Sequence, residues 1–121
     1  MIDDDPFTCN IMAMLFQTDG YSVAAASNGA KGLELAAKDM PQLFIIDLML
    51  PNMSGYEIIR AIRGDNSFKH IPILVCTAKN GSVDIHKSFD IGADDYISKP
   101  FDTKRLRYKV KKLLGHPIPQ E

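Results

Sequence analysis

Two hydrophobic periods alternate along this chain, and that alternation limits its fold more than any other feature. The runs "YSVAAAS" (21–27), "LFIID" (43–47), "IPILVCT" (71–77) and "DYISK" (95–99) read as strands. Between them, apolar residues recur every three or four positions, as they do in helices. Strands that alternate with helices form a parallel sheet covered on both faces, because each parallel crossover needs a helix-length connection. The runs at 43–47 and 71–77 are continuously apolar, the pattern of strands buried on both sides.

The helical stretches have assignable faces. Residues 6–18 begin with Asp5 as cap and Pro6 as first helical residue, and Phe7, Ile11, Met14 and Leu15 form the expected apolar face, with Met12 and Phe16 lying off it as either ordinary core or an exposed contact. Residues 28–39 place Leu33, Ala36 and Ala37 inward, residues 56–64 place Ile58, Ile59 and Ile62 inward, and residues 82–92 place Ile85 and Phe89 inward. Residues 102–114, capped by Asp102, turn Leu106, Val110, Leu113 and Leu114 to the core. "LPNMSG" (50–55) is a loop of turn formers. The expected domain is 1–114, and 115–121 is a tail or the start of a linker, since Pro117 and Pro119 cannot continue a helix.

Composition removes several function classes. The chain has 14 Lys and Arg against 15 Asp and Glu, so no net field favours nucleic acid or an anionic membrane. No apolar run reaches the roughly 20 residues of a membrane span, and "MIDDDP" lacks the apolar core of a signal peptide. The expected location is the cytoplasm. Cys9 and Cys76 form no CxxC pair and read as small buried apolar residues. His70, His86 and His116 lack ligand spacing and read as surface or loop residues.

In a parallel sheet the C-terminal ends of the strands line one edge, and ligands bind outside it. The first strand ends in Asp3 and Asp4, the third in Asp47, the fourth in Thr77 and the fifth in Lys99. Each lies one or two strand–helix units from the next, so they converge in space. Three carboxylates held together repel, and without compensation one takes up a proton. Lys99 supplies one positive charge and leaves about two negative charges, which a divalent cation balances. Oxygen ligands without His or Cys favour Mg²⁺ (or Mn²⁺). A carboxylate beside a divalent metal and a lysine is a suitable nucleophile towards a phosphoryl group, and the Thr77 hydroxyl is placed to donate to a phosphoryl oxygen.

The ordered set "IDDDP", "IIDLMLPNMSG", "VCTA" and "DDYISKPF" resembles the receiver domain of two-component response regulators, over roughly residues 2–114. The resemblance implies a doubly wound, CheY-like sheet of five parallel strands in order 2-1-3-4-5 with five helices. It implies that Asp47 accepts a phosphoryl group from a sensor histidine kinase or phosphotransfer protein. Asp3 and Asp4 match the acidic pair that binds Mg²⁺, with one oxygen of Asp47 and the backbone carbonyl of Met49 as further ligands. Thr77 and Lys99 match the residues that contact the phosphoryl group, Tyr96 matches the aromatic residue that turns inward with the threonine, and the Lys99–Pro100 bond is expected cis. Phosphorylation would draw in Thr77 and the loop carrying Lys79, and change how the face of fourth helix, fifth strand and fifth helix binds a downstream partner. The basic residues of the last helix, Lys104 to Lys112, read as a solvated face that complements the helix dipole. Receiver domains joined to DNA-binding modules often carry an acidic residue where Arg105 stands, so at most a weak homodimer is implied.

One departure from the family stands out. Only Met1 and Ile2 precede the acidic pair, whereas a central strand normally supplies several aliphatics, each worth roughly 1.5–3 kcal/mol out of a total stability of about 5–15 kcal/mol. The expectation is that the natural chain starts earlier, and the alternative is a rearranged sheet that has lost phosphorylation. Three other functions compete. An aspartate-nucleophile phosphatase wants an acid two residues after the nucleophile, where Met49 stands. A flavin mononucleotide carrier wants a Ser/Thr-rich phosphate loop, where "DDDP" would repel phosphate. A pseudo-receiver would bind partners without phosphorylation.

Overall fold

The computed structural model of the chain describes residues 1–50, 53–78 and 82–116. The elements run α1 (Pro6–Thr18), α2 (Gly29–Lys38), β1 (Phe44–Ile46), α3 (Gly55–Gly64), β2 (Ile73–Ala78), α4 (Ser82–Asp90), β3 (Asp95–Lys99) and α5 (Thr103–Leu114). The three strands form one parallel sheet in the order β1-β2-β3. Ile2 extends it by single bridges, to Ile46 on one side and to Ala26 on the other. The expected alternation is therefore present, but the predicted strand over 21–27 is reduced to one bridged residue. A ladder needs a neighbour, and Met1 to Asp3 are the residues that pair with it, through Met1 N to Ala24 O at 2.8 Å, Ala26 N to Met1 O at 2.9 Å and Asp3 N to Ala26 O at 3.0 Å.

Two apolar layers enclose the sheet. Strand side chains alternate between them, as the pleat requires. Phe44, Ile46, Ile73 and Val75 face a cluster that holds Ile58, Ile59 and Ile62 of α3 and Ala36 of α2. Ile45, Leu74, Cys76 and Ile97 face a second cluster with Met12 and Phe16 of α1 and Leu106 and Val110 of α5. The inward residues expected of α3, and Leu106 and Val110 of α5, are buried as read.

Other faces differ from expectation. In α1, Phe7 and Met14 are each 71% exposed, while Met12 and Phe16 are 0% and 3% exposed. That helix is apolar nearly all round, so its periodicity admits two stripes, and packing against Leu74, Cys76 and Leu106 selects the one that holds Met12 and Phe16, off the expected main stripe. In α2, Ala36 is buried as read, but Ala37 is exposed, and Gly29 and Gly32 are buried with Ala36. A Cβ on Gly32 would collide with the side chain of Ile2, so the glycine permits the closest approach of helix to sheet. In α4, Ser88 is buried and Phe89 is 37% exposed, its ring meeting Tyr96 edge-on. Cys76 is fully buried as expected, whereas Cys9 is half-buried, with its thiol 3.5 Å from the carbonyl of Asp3.

The ends and crossings are pinned by polar contacts. Asp5, Asn28, Ser54 and Asp102 cap α1, α2, α3 and α5 with their side chains. Arg63, at the end of α3, donates to the carbonyls of Gly92, Lys69 and Ile71 and to Asp94, and Asp94 also accepts from Ile73 N at 2.8 Å. This ties α3 to the start of β2 and β3. Of the basic residues on α5, Arg107 pairs with Asp19, and Lys109 pairs with Asp95 at 2.9 Å. Lys111 lies over the ring of Tyr21. No helix among the described residues is long and apolar enough to cross a membrane. Lys79, Pro117 and Pro119 lie outside the described residues.

Candidate functional site

The acids converge where the strand ends do. β1 stops at Ile46, and Asp47 follows at the C-terminal edge, with its backbone N–H held by Ile2 O at 3.0 Å. Asp3 follows Ile2 on the neighbouring segment. One carboxylate oxygen from each of Asp3, Asp4 and Asp47 lies within 4.8 Å of the others, so the three can share one cation. Asp3 is 2% exposed and Asp47 5%, while Asp4 is exposed. Two carboxylates are therefore withdrawn from water, and one faces it.

Lys99, the last residue of β3, spans the pair. Its Nζ donates to Asp3 Oδ2 at 2.7 Å and to Asp47 Oδ2 at 3.1 Å. Burial alone disfavours this ammonium, but the two hydrogen bonds and two negative charges outweigh it, and its pKa lies above the ordinary lysine value. The other oxygen of Asp47 accepts from Met49 N at 3.0 Å, which fixes the carboxylate plane. The Met49 side chain is exposed. The Lys99–Pro100 bond is cis. Thr77 is buried near the end of β2, opposite Ser98 and one residue before the Ala78–Lys99 pair. Tyr96 pairs with Val75 further down the sheet, between Phe89 and the Lys109 ammonium, which stands 5.5 Å from its ring.

Two supporting residues escape a reading by chemistry alone. Asp5 is legible as a cap, and its side chain does accept from Phe7 N at 3.1 Å. Its backbone N–H also donates to Asp3 Oδ1 at 2.9 Å and so orients that carboxylate. An Asp accepting from two residues on is a known turn habit, and "DDD" carries that signal. Gly55 is the other. A Cβ there would lie 2.5 Å from the carbonyl oxygen of Asp47, so only glycine lets α3 start against the strand end.

Burial is the main influence on Asp47 and raises its carboxyl above the usual range. The Met49 N–H, the Lys99 hydrogen bond and the Lys99 charge pull it back, and the Asp3 charge pushes it up again. A carboxyl raised in the folded state holds its proton longer than in the unfolded chain. Its contribution to stability therefore falls as pH rises from the ordinary carboxylate value to the raised one, and stays lower above it. Asp47→Asn cannot ionise. In metal-free buffer at neutral pH it is expected to unfold at a higher urea concentration than the parent, with the gain disappearing once the pH falls below the carboxylate range. Urea titrations with a chelator at the two pH values check this.

A family model described as response regulator receiver domain matches residues 1–111. The chain belongs to that family. A curated relative, the DNA-binding dual master transcriptional regulator RpaA of Synechocystis sp., is 39% identical over 99% of this chain and 51% of its own length. The DNA-binding response regulator MtrA of Mycolicibacterium smegmatis is 34% identical over 92% of this chain and 47% of its own. The chain spans about half the length of the curated relatives it matches. Among solved structures, the chemotaxis protein CheY4 of Vibrio cholerae superposes with a TM-score of 0.87 at 27% identity, covering 93% of each chain. The protein is thus a two-component receiver domain with a CheY-like α/β fold, and the flavin-carrier and phosphatase readings are set aside.

Proposed function

We propose that this receiver domain takes a phosphoryl group onto Asp47 from a sensor histidine kinase or phosphotransfer protein. The observation that supports it most directly is the meeting of Asp3, Asp4 and Asp47 within the reach of one ion, with Lys99 bridging two of them. An oxygen of Asp47 attacks phosphorus, the N–P bond of a phosphohistidine breaks, and the imidazole leaves with the electron pair and takes a proton from solvent. Lys99 is placed to neutralise charge on the transferring group, and the Thr77 hydroxyl to donate to it.

The donor set fits Mg²⁺ (or Mn²⁺), because hard oxygen ligands with water access at the exposed Asp4 suit an ion that keeps several waters. Asp3, Asp4, Asp47 and the Met49 carbonyl would hold it, and it would offset the negative charge of the incoming phosphoryl group.

Phosphorylation replaces the single negative charge of the Asp47 carboxylate with nearly two on the phosphoryl oxygens, a net gain of about one. Thr77 moves towards them, Tyr96 repacks, and the face of α4, β3 and α5 changes its affinity for a downstream partner or output domain. Such a switch requires two packings of similar energy. The sheet reading that goes with this is the order 2-1-3-4-5, with the bridges at Ile2 and Ala26 as its two remaining strands. The domain spans residues 1–114, with 115–121 a tail or the start of a linker; the domain itself touches no nucleic acid or membrane, it acts in the cytoplasm, and any homodimer is weak.

Incubation with acetyl phosphate and Mg²⁺, followed by intact mass, tests the proposal. The expected result is a gain of one phosphoryl group, lost in Asp47→Asn, with amide chemical shifts moving across residues 77–110 in the same sample. No gain in the parent protein would assign it instead to the pseudo-receivers.

A further inference from the structure

The ring of Tyr96 carries a cation that the proposed phosphoryl transfer does not use. Tyr96 is half-buried in β3 and packs partly against the cluster around Ile58, Ile59 and Ile62. The ring of Phe89, on α4, meets it edge-on with the centroids 6.1 Å apart. The Lys109 ammonium, on α5, stands 5.5 Å from its centroid. An ammonium is attracted to the negative face of an aromatic ring, and more strongly where water is kept away. The Lys109 side chain is 14% exposed, so the contact is largely dry.

Asp95 fixes that ammonium. Its Oδ1 accepts from Lys109 Nζ at 2.9 Å and from the backbone N–H of Tyr96 at 2.8 Å. One carboxylate oxygen therefore holds both the cation and the backbone from which the ring projects. Lys109 sits beside the buried Val110 and nearly one turn after the buried Leu106. Its stem thus lies along the packed side of α5, and its charged head emerges at Asp95. The cation has little freedom to follow the ring if the ring moves.

We propose that Lys109 is a positioning residue for the switch: its ammonium, tethered by Asp95, holds the Tyr96 ring where it stands in the unphosphorylated protein and opposes its inward turn. This rests on reading Tyr96 as the residue that repacks when Asp47 is phosphorylated. A side-chain rotation that carries the ring towards Thr77 takes it off the cation and off the edge of Phe89. The pair of Lys109 with Asp95 stays closed, so the latch gives up one contact and leaves no buried charge unpaired. Linkage sets the consequence. Whatever favours the present ring position weakens, by the same factor, the binding of any group at Asp47 that favours the inward one. Lys109 thereby sets how much occupancy pressure at Asp47 the switch needs before it responds.

The test follows nuclear Overhauser contacts from the Tyr96 ring to Phe89 and to the Thr77 methyl in the parent, Lys109→Met and Lys109→Arg. Each protein is then titrated with beryllofluoride and Mg²⁺, a phosphoryl mimic that binds carboxylates reversibly. Lys109→Met keeps the stem and loses the charge. Before titration its ring contacts should weaken to Phe89 and strengthen to Thr77, and its half-saturating beryllofluoride should fall by about threefold to tenfold. Lys109→Arg keeps a cation for both the ring and Asp95 and should behave as the parent. Unchanged amide signals in β1 and β2 establish that the variants are folded. If Lys109→Met shifts only the unfolding midpoint and leaves the ring contacts and the half-saturation as in the parent, the pair is merely structural and the proposal is overturned. Moved ring contacts with an unchanged half-saturation overturn it as well. A parent with no beryllofluoride response counts against phosphorylation at Asp47 instead, and the ring contacts before titration then still uphold or overturn the hold of Lys109 on Tyr96.

Discussion

Lys99→Met should lower the unfolding free energy of the metal-free protein at neutral pH by about 2–4 kcal/mol, and Mg²⁺ should restore more stability to this variant than it adds to the parent. Methionine keeps most of the lysine stem, so packing changes little. What is lost is the ammonium that Asp3 and Asp47 share at 2.7 and 3.1 Å. Breaking a buried ion pair by removing one partner costs about 3–5 kcal/mol, and the lower figure applies here because the Lys99 side chain is 23% exposed. Two nearly buried carboxylates then face each other unpaired, and the folded state holds protons more tightly than the unfolded chain. The variant should therefore recover stability as the pH is lowered, while a divalent ion placed among the same three acids replaces the missing charge. Guanidinium titrations with chelator and with Mg²⁺ measure both. Equal Mg²⁺ stabilisation in variant and parent would mean that the ion does not sit between Asp3 and Asp47.

The candidate site was legible for a reason that does not depend on packing. In a parallel sheet the residue after each apolar run falls on the same edge, so Asp3, Asp47, Thr77 and Lys99 could be grouped from strand order alone. The supports of those residues were not legible in the same way. The donation from Asp5 N to Asp3 Oδ1 is a local turn that "DDD" shares with many loops. The need for glycine at position 55 arises from the carbonyl of Asp47, eight residues away in the chain and in contact only once α3 has docked.

The fold was legible where one pattern had one solution. Ile58, Ile59 and Ile62 make a single stripe on an otherwise polar helix, and all three are fully buried. The segment 21–27 has strand composition, but composition does not supply a neighbour, and its pairing ends with Met1 to Asp3. In α1 the sequence "PFTCNIMAMLFQT" places apolar side chains on most of the cylinder. Two stripes then satisfy the helical period, and tertiary contact decides between them.

That choice carries the second large effect. Phe16→Ala should destabilise the protein by about 3–5 kcal/mol, while Phe7→Ala should leave it within about 0.5 kcal/mol. Phe16 is 3% exposed and packs in the cluster of Leu74, Cys76 and Leu106, with the ring of Tyr21 edge-on at 6.3 Å. Truncating it opens a void beside a cavity that Phe16 already lines, and neighbours that cannot collapse inward leave both the transfer and the cavity cost unrecovered. Phe7 is 71% exposed, so its removal takes little surface out of the core. Both substitutions exchange the same side chain in the same helix for its best helix former, so propensity gains are similar and cancel in the comparison. Urea unfolding of the two variants side by side therefore reads burial alone. The reverse order of stabilities would place the Phe7–Met14 stripe against the sheet and rotate α1 by about half a turn, which would swing Asp5 and its hold on Asp3 away from the acid cluster.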